Sequence, residues 1–307
     1  MKTLSIIHAF AAVCGLLASI APAAIVIPTV AIGDAGNTPD PLTGKGSVAY
    51  AYRLGKTEVT NLQYAAFLNA KAASDPHDLY NRDMNPSFGG ITRSGPDGAY
   101  HYSVIGGREH YPIAHVSFWD AVRFTNWLHN GQGSGDTENG AYTLTEQGIH
   151  DNTVTRNAGA RWAIPSVDEW YKAAYSQPAN QGGPLSNYWL YPVSSNTVTT
   201  TQANFNTVLS HTAQVGSYSL NYRGLFDMGG NVEEMTENIT SSLRVTRGGN
   251  FYSRADSLSS ASSSVINNGV ESGLIGFRVV QVPGPTPVAL LAMSGLVAMV
   301  RRRTSVR

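Results

Sequence analysis

The stretch that most constrains this chain runs from residue 224 to residue 254, GLFDMGGNVEEMTENITSSLRVTRGGNFYSR. It contains two glycine pairs, Gly229-Gly230 and Gly248-Gly249, with acidic and amide side chains beside them. Glycine permits left-handed backbone and lets another chain segment approach closely. The two pairs therefore predict tight turns at either side of a hairpin, and we expect this stretch to form a rigid pocket wall.

Both ends of the chain carry export signals. Lys2, an apolar run to Ile20 and Ala21-Pro22-Ala23 follow the pattern of a secretory signal that is cleaved after Ala23. A short membrane anchor is the alternative. At the other end, residues 283–307 combine a proline turn, an apolar run over 288–300 and three arginines. That run is shorter than the ~20 residues that a helix needs to span a bilayer.

The C-terminal tail resembles the PEP-CTERM sorting tail of Gram-negative bacteria, although Gly284 stands where that pattern has Glu. The resemblance implies an exosortase-type sorting enzyme as a partner and transient membrane contact through the tail. We therefore expect an exported protein at the cell surface or outside the cell. The alternative is a retained tail that anchors the protein in the membrane through residues 288–300.

Composition narrows the class of protein. Charged residues make up 14% of the chain, against ~25% in a typical globular protein, which favours a loop-rich exported domain. Removing both ends leaves 16 of the 21 basic residues against 21 acidic ones, so a nucleic-acid partner is not expected. The only cysteine, Cys14, lies in the predicted signal, which excludes disulfides and cysteine chemistry from the mature protein.

Capping patterns predict three helices. Thr60 with Gln63 starts one that runs to about residue 72, Ser117 with Asp120 starts a second, and Ser166 with Glu169 starts a third. Polar residues from 74 to 107 predict surface loops or short hairpins. We expect an irregular lead-in over residues 24–45 and one compact α+β domain over residues 46–282.

The sequence lacks the spacing of a zinc site, a nucleophile elbow or a phosphate loop. His115 is interpreted as a hydrogen-bonded structural group rather than a base. Oxygen ligands are better represented, because Glu234 follows a glycine turn and Asn204-Phe205 could meet carbonyls from residues 216–218. Such ligands suit Ca²⁺. Ordinary hydrogen bonding within turns is the alternative.

Six segments in the same order resemble the formylglycine-generating enzyme, or sulfatase-modifying factor, family. They are GKTEVTNLQYAAFLNA (55–70), YPIAHVSFWDAVRFTNWL (111–128), RWAIPSVDEWYKAA (161–174), GLFDMGGNVEEM (224–235), RVTRGGNFYSR (244–254) and GFRVV (276–280). The resemblance implies a compact C-type lectin-like fold that is α+β and rich in loops. It does not by itself establish an activity.

Active members of that family convert a sulfatase cysteine to formylglycine with O₂ and a copper ion held by two cysteines. The resemblance places Ser253 and Leu258 at those two positions, and it places Met235 and Asn250 at altered pocket positions. Since soft copper needs sulfur ligands, no copper is expected. The resemblance also implies calcium ligands at Asn204, Phe205, Gly216, Tyr218, Gly229, Gly230, Val232 and Glu234.

These observations predict a non-catalytic family member, a lectin-like or surface and matrix scaffold that binds a peptide, a glycan such as an exopolysaccharide, or another extracellular matrix ligand. The alternative is an oxidoreductase-type enzyme that uses other pocket groups, with Tyr252, Arg254 and Asp256 as candidates. A surface-layer or biofilm protein whose role is set by its tail overlaps with the first hypothesis.

Overall fold

The computed structural model describes residues 24–85 and 89–283. The predicted signal with Cys14, and the tail from residue 284 onward, lie outside the described residues. Within those ranges, no helix is both long enough and apolar enough to traverse a bilayer.

Short elements joined by long loops make up the described chain. The helices are α1 (Asn61–Lys71), α2 (Phe118–His129), α3 (Glu146–His150) and α4 (Val167–Tyr175). The strands are β1 (Thr29–Ile32), β2 (Tyr52–Gly55), β3 (Ile91–Ser94), β4 (His101–Val104), β5 (Trp162–Ala163), β6 (Glu233–Thr240), β7 (Leu243–Arg247), β8 (Ser264–Ile266), β9 (Ile275–Gly276) and β10 (Val280–Gln281). Single 3₁₀ turns lie at Arg82–Met84, Ala179–Gln181 and Ala255–Leu258.

All three predicted capping boxes are confirmed. The side chains of Thr60, Ser117 and Ser166 accept hydrogen bonds from the backbone N–H three residues on. The side chain at that later position in turn accepts a hydrogen bond from the backbone N–H of the capping residue. Each box satisfies backbone N–H groups that a helix start leaves unpaired. The caps thus fix where α1, α2 and α4 begin, and the apolar faces that follow them are buried.

The first sheet joins the two ends of the described chain. Its order is β1-β2-β10-β5, with antiparallel pairs throughout. The predicted irregular lead-in over residues 24–45 contains one strand, since β1 pairs with β2 along its whole length, while the other residues of this range form neither helix nor strand. Thr29–Ile32 has β-branched residues, but Pro28 and Gly33 on either side make it too short to show periodicity.

The second large sheet contains the glycine-flanked hairpin. Its order is β8-β7-β6-β9, and β6 and β7 are joined by Ser241-Ser242, both with positive φ. Two successive left-handed residues are the requirement of a type I′ hairpin turn. The predicted hairpin is confirmed, with Glu234 opposite Arg247 at its open end. A smaller hairpin, β3 with β4, occupies the polar excursion between residues 74 and 107.

An aromatic cluster forms the centre of the core, between α1, α2 and the segment that follows β9. The rings of Tyr64, Phe67 and Phe124 pack with centroids 5.4 to 6.0 Å apart, and Phe124 also meets Phe277 edge to face at 5.5 Å. Offset and edge-to-face ring pairs add stability beyond the area they bury. This packing holds the segment between β9 and β10 against the helices, and with it β9 of the hairpin sheet.

Replacing the cap of α4 tests this account of the fold. Ser166→Ala should lower the free energy of unfolding by about 1 kcal/mol, because the Glu169 backbone N–H loses its acceptor. Urea denaturation measures the change. Ser257→Ala is the control, since Ser257 has no side-chain hydrogen bond among the described residues; an equal loss in both variants would contradict the role of the cap.

Candidate functional site

A fully buried ion pair lies at the base of the glycine-flanked hairpin. The Arg278 guanidinium donates two hydrogen bonds to the Glu234 carboxylate, from Nη2 to Oε1 and from Nε to Oε2, both at 2.5 Å. Trp170 Nε1 donates a third to Oε2 at 2.7 Å. Glu234 is 1% exposed and Arg278 is not exposed at all, so both charges depend on each other for compensation.

Arg278 also bonds to the backbone of two other segments. Its remaining N–H groups donate to the carbonyl of Gly55 at 2.9 Å, at the end of β2, and to that of Phe226 at 3.1 Å, in the turn before β6. One guanidinium therefore connects the first sheet, the glycine turn and the hairpin sheet.

Two further carboxyl groups are buried near this pair. Asp227 accepts a hydrogen bond from the Gly216 N–H at 2.6 Å. Glu58 accepts one from Asn231 Nδ2 at 2.8 Å, while its Oε2 has no partner among the described residues. Burial, and then the charge of Asp227, raise the pKa of Glu58 well above its usual range.

The pKa of Asp227 is raised mainly by burial, as that of Glu58 is. Burial raises the pKa of Asp227 to about 6, with the charge of Glu234 adding to it, while the Gly216 N–H and Arg278 act in the opposite direction. The sequence analysis missed both Glu58 and Asp227. Each lies inside a segment that carries the family resemblance. No pattern in the neighbouring residues, however, indicates that either carboxyl group is buried.

The predicted calcium ligands fall into two sets, and the Glu234 set does not fit Ca²⁺. Gly229, Gly230 and Val232 lie in the turn before Glu234, as expected. However, both carboxylate oxygens of Glu234 already accept from guanidinium or indole N–H groups. A divalent cation at Glu234 would also stand beside the positive charge of Arg278.

The Asn204 set has a better donor arrangement. Asn204 is 1% exposed, and its Oδ1 has no hydrogen-bond partner among the described residues. Gly216 is held next to Asp227, and burial followed by the Asp227 charge raises the pKa of Tyr218. Asp227 thus brings a carboxylate to the loop of Gly216 and Tyr218. No group of three His, Cys, Asp or Glu side chains within residues 24–85 and 89–283 is arranged to hold a metal, so amide and carbonyl oxygens would be the main ligands.

Ser253 and Leu258 are neighbours in space. Ser253 Oγ and Leu258 Cδ1 each lie 3.1 Å from the point where a Cβ on Gly249 would sit. Leu258 is fully buried and packs on Ala203 and Phe205 in a small apolar cluster apart from the main core. The resemblance implies a calcium-binding role for the backbone carbonyl of Phe205, and the side chain of Phe205 packs in this cluster. A hydroxyl and an isobutyl group do not fit copper.

The other altered positions have structural contacts. Met235 is fully buried in the main core. Asn250 Oδ1 accepts a hydrogen bond from the Tyr252 backbone N–H at 3.0 Å, and Ser253 Oγ accepts one from the Asn250 N–H at 3.0 Å. These bonds fix the turn that follows the second glycine pair, and with it the orientation of Tyr252.

A pocket of about 290 Å³ opens beside that turn. We call it the His115 pocket. Four segments form most of its wall: residues 112–115, 210–212, 251–252 and 273–274. Among the residues proposed for an alternative enzyme site, Tyr252 lines this pocket, whereas Arg254 and Asp256 are exposed and do not.

His115 forms part of the pocket wall in a strained backbone conformation. Its φ is 57°, and its N–H donates to the Ser272 carbonyl at 3.0 Å. No hydrogen bond to the imidazole is found among the described residues, so the interpretation of His115 as a hydrogen-bonded structural group stays a prediction for the side chain, while the backbone N–H is hydrogen-bonded. Burial lowers the pKa of His115, which keeps the imidazole neutral at physiological pH. The Gly273 backbone packs against this ring.

Comparison with known proteins identifies the family. A profile of the sulfatase-modifying factor enzyme 1-like domain matches residues 25–283. The chain belongs to this family. The matched region begins at residue 25, not near residue 46, which agrees with the place of β1 in the first sheet.

Solved structures agree on the fold. The crystal structure of CarF shares 23% identity, has a TM-score of 0.59, and is matched over 84% of this chain and 100% of its own. The variable protein 1 of Treponema denticola shares 19% identity with a TM-score of 0.54, over 83% of this chain and 95% of its own. These matches confirm the α+β, loop-rich, C-type lectin-like fold of the sulfatase-modifying factor family. No curated protein sequence matches this one significantly.

Removing the charge of Glu234 distinguishes an ion pair from a calcium ligand. Glu234→Gln should lower the free energy of unfolding by about 3–5 kcal/mol, since it removes the carboxylate that is paired with the buried Arg278 charge. Urea denaturation with EDTA and with Ca²⁺ should give equal losses. Glu233→Gln, the neighbouring residue, is the matched control and should cost far less. A loss that appears only with Ca²⁺ would make Glu234 a calcium ligand.

The raised pKa of Asp227 predicts a pH dependence. The folded protein holds this proton more tightly than the unfolded chain, whose value lies near 3.8. That contribution to stability is complete below pH 3.8 and is lost as the pH rises through about 6. Asp227→Asn removes it, so in calcium-free buffer the stability of the variant minus that of the wild type should rise between pH 4 and 7, by roughly 1–3 kcal/mol.

Denaturation at several pH values gives the difference curve directly. Asp256→Asn is the control, because Asp256 is exposed. A flat difference would show that folding does not raise the pKa of Asp227, and a difference that falls with pH would show that the carboxylate is stabilised in its ionised form.

Proposed function

We propose that this chain is an exported, non-catalytic member of the sulfatase-modifying factor family, a lectin-like module that binds a ligand through the His115 pocket. The observation that carries the proposal is the pair Ser253 and Leu258. They stand together beside the second glycine pair, at positions that the resemblance assigns to copper cysteines, and neither provides sulfur. The pocket next to them remains open.

The surroundings of this pair favour binding over chemistry. Leu258 closes an apolar cluster, and Ser253 Oγ serves as an acceptor within the turn. Neither side chain offers a reactive group to a substrate. The hydrogen bonds around Asn250 instead hold Tyr252 at the pocket mouth, which is a preorganised arrangement typical of a recognition surface.

The cellular setting of the proposal comes from the two ends of the sequence. A secretory signal over residues 1–23 and a sorting tail over residues 283–307 would bring the module to the cell surface or the extracellular matrix, where the tail meets an exosortase-type enzyme and the membrane. The ligand is a peptide, a glycan or another matrix component.

Calcium is part of the proposal at the Asn204 loop only. Two observations support it: the buried Asn204 Oδ1 has no partner among the described residues, and the Asp227 carboxylate lies near Gly216. Bound Ca²⁺ would supply positive charge to this acidic region and tighten the loop that leads to the His115 pocket through residues 210–212. Calcium would then act on the shape of the pocket without contacting the ligand.

An oxidoreductase-type enzyme is the second candidate. It is favoured by Tyr252, whose side chain lines the same pocket as His115. It is disfavoured by Arg254 and Asp256, which lie outside the pocket. Metal analysis separates the two hypotheses, because stoichiometric iron or copper in the purified protein supports the enzyme.

Loss of the family reaction is tested directly. The protein is incubated with a CxPxR sulfatase peptide, Cu(I) and O₂, next to a blank without protein and an active formylglycine-generating enzyme as positive control. We expect no aldehyde above the blank, since no thiolate pair is available to hold copper. Aldehyde formation above the blank would overturn the non-catalytic assignment.

A further inference from the structure

We propose that the His115 pocket binds one ring of a neutral sugar, presented as a terminal or exposed unit of a neutral glycan. The inference rests on the proposed binding function and adds the chemical class of the ligand. Four properties of the pocket carry it: its charge, its aromatic wall, its polar groups and its backbone.

The wall of the pocket carries no formal charge. Among the described residues that line it there is no Asp, Glu, Lys or Arg. A phosphate, a sulfate or a uronate would find no cation, and a basic peptide side chain would find no carboxylate. Burial lowers the pKa of His115, so this imidazole is neutral as well. Desolvating a charged ligand here would be uncompensated, which restricts the site to neutral ligands.

Two aromatic rings form a platform at the mouth. Tyr252 is 53% exposed, and its ring centroid lies 4.5 Å from that of the buried Phe251, with the ring planes inclined at 39°. The Asn250 side chain fixes the Tyr252 backbone. One face of a pyranose ring consists of C–H groups whose slightly positive hydrogens match the negative face of an aromatic ring. A sugar can therefore pack on Tyr252 with little loss of side-chain freedom.

Groups that both donate and accept surround this platform. Ser210, Thr212, His115 and His211 are among the residues that line the pocket. Each hydroxyl can donate one hydrogen bond and accept others, as a sugar hydroxyl does. His211 Nδ1 donates to the Thr212 carbonyl at 2.6 Å, which holds the ring in place. Apolar Ile113 and Leu274 complete the wall.

The backbone of the wall does not suit an extended peptide. The N–H groups of Ile113, His115 and Phe251 already donate to carbonyls of Val59, Ser272 and Asn231. Binding by strand addition needs unpaired N–H and C=O groups along an edge, and these three positions have no N–H to offer. At about 290 Å³ the pocket also lies at the lower limit for ligand sites, which fits a single ring better than several residues of chain.

The test measures binding of the full protein to three immobilised probe sets. These are neutral oligosaccharides built from glucose, galactose, mannose and N-acetylglucosamine, matched oligosaccharides that contain glucuronate, and uncharged peptides. We expect binding to at least one neutral oligosaccharide and weaker binding to its glucuronate counterpart. Tyr252→Ala should weaken this binding tenfold or more, because it removes the ring on which the sugar packs, while Tyr252→Phe should retain it.

The matched control is Tyr222→Ala, which removes an exposed tyrosine that bonds to Gln181 and does not line the pocket. An equal loss in Tyr222→Ala and Tyr252→Ala would overturn the placement of the sugar. Stronger binding to glucuronate probes, or binding to peptides alone, would overturn the sugar inference and leave the binding function intact. Binding to no probe would overturn the inference, whereas aldehyde formation in the sulfatase assay would overturn the proposed function itself.

Discussion

The buried pair of Glu234 and Arg278 is the interaction on which the rest of this structure depends. Arg278 comes from the segment between β9 and β10, Glu234 starts the hairpin, and Trp170 lies in α4, so three distant parts of the chain meet at one carboxylate. Two buried charges are costly unless their geometry is fixed. Arg278 also donates to the Gly55 carbonyl at the end of β2, so the pair connects the two large sheets directly.

The sequence predicts those structural elements whose signals lie within a few neighbouring residues. Capping boxes at Thr60, Ser117 and Ser166 act over three residues, and all three are observed. The hairpin after Glu234 also follows from short-range rules. β1 was missed because four residues give no periodicity, and its place is set by pairing with β2, more than twenty positions along the chain.

The candidate site was harder to predict because its parts are far apart in sequence. Most of the wall of the His115 pocket comes from four segments between residues 112 and 274, and no local pattern joins them. Glu234 was assigned to calcium because its neighbours in sequence suit that ion. Its actual partner, Arg278, is 44 positions away. The sequence does not predict that Glu58 Oε2 is buried with no partner among the described residues, since burial depends on the whole fold.

The position of β10 has a mechanical consequence. This strand is the last element before the C-terminal tail, yet it lies inside its sheet, between β2 and β5, rather than at an edge. If the tail attaches the protein to a surface, a force that pulls on a bound matrix component is transmitted between the fold and the tail through β10. Pulling it out requires breaking the pairing on both sides, with Leu54 and with Ala163. A tethered module of this kind can bear a load at β10, while the pocket is formed by other segments of the chain, none of which includes β10.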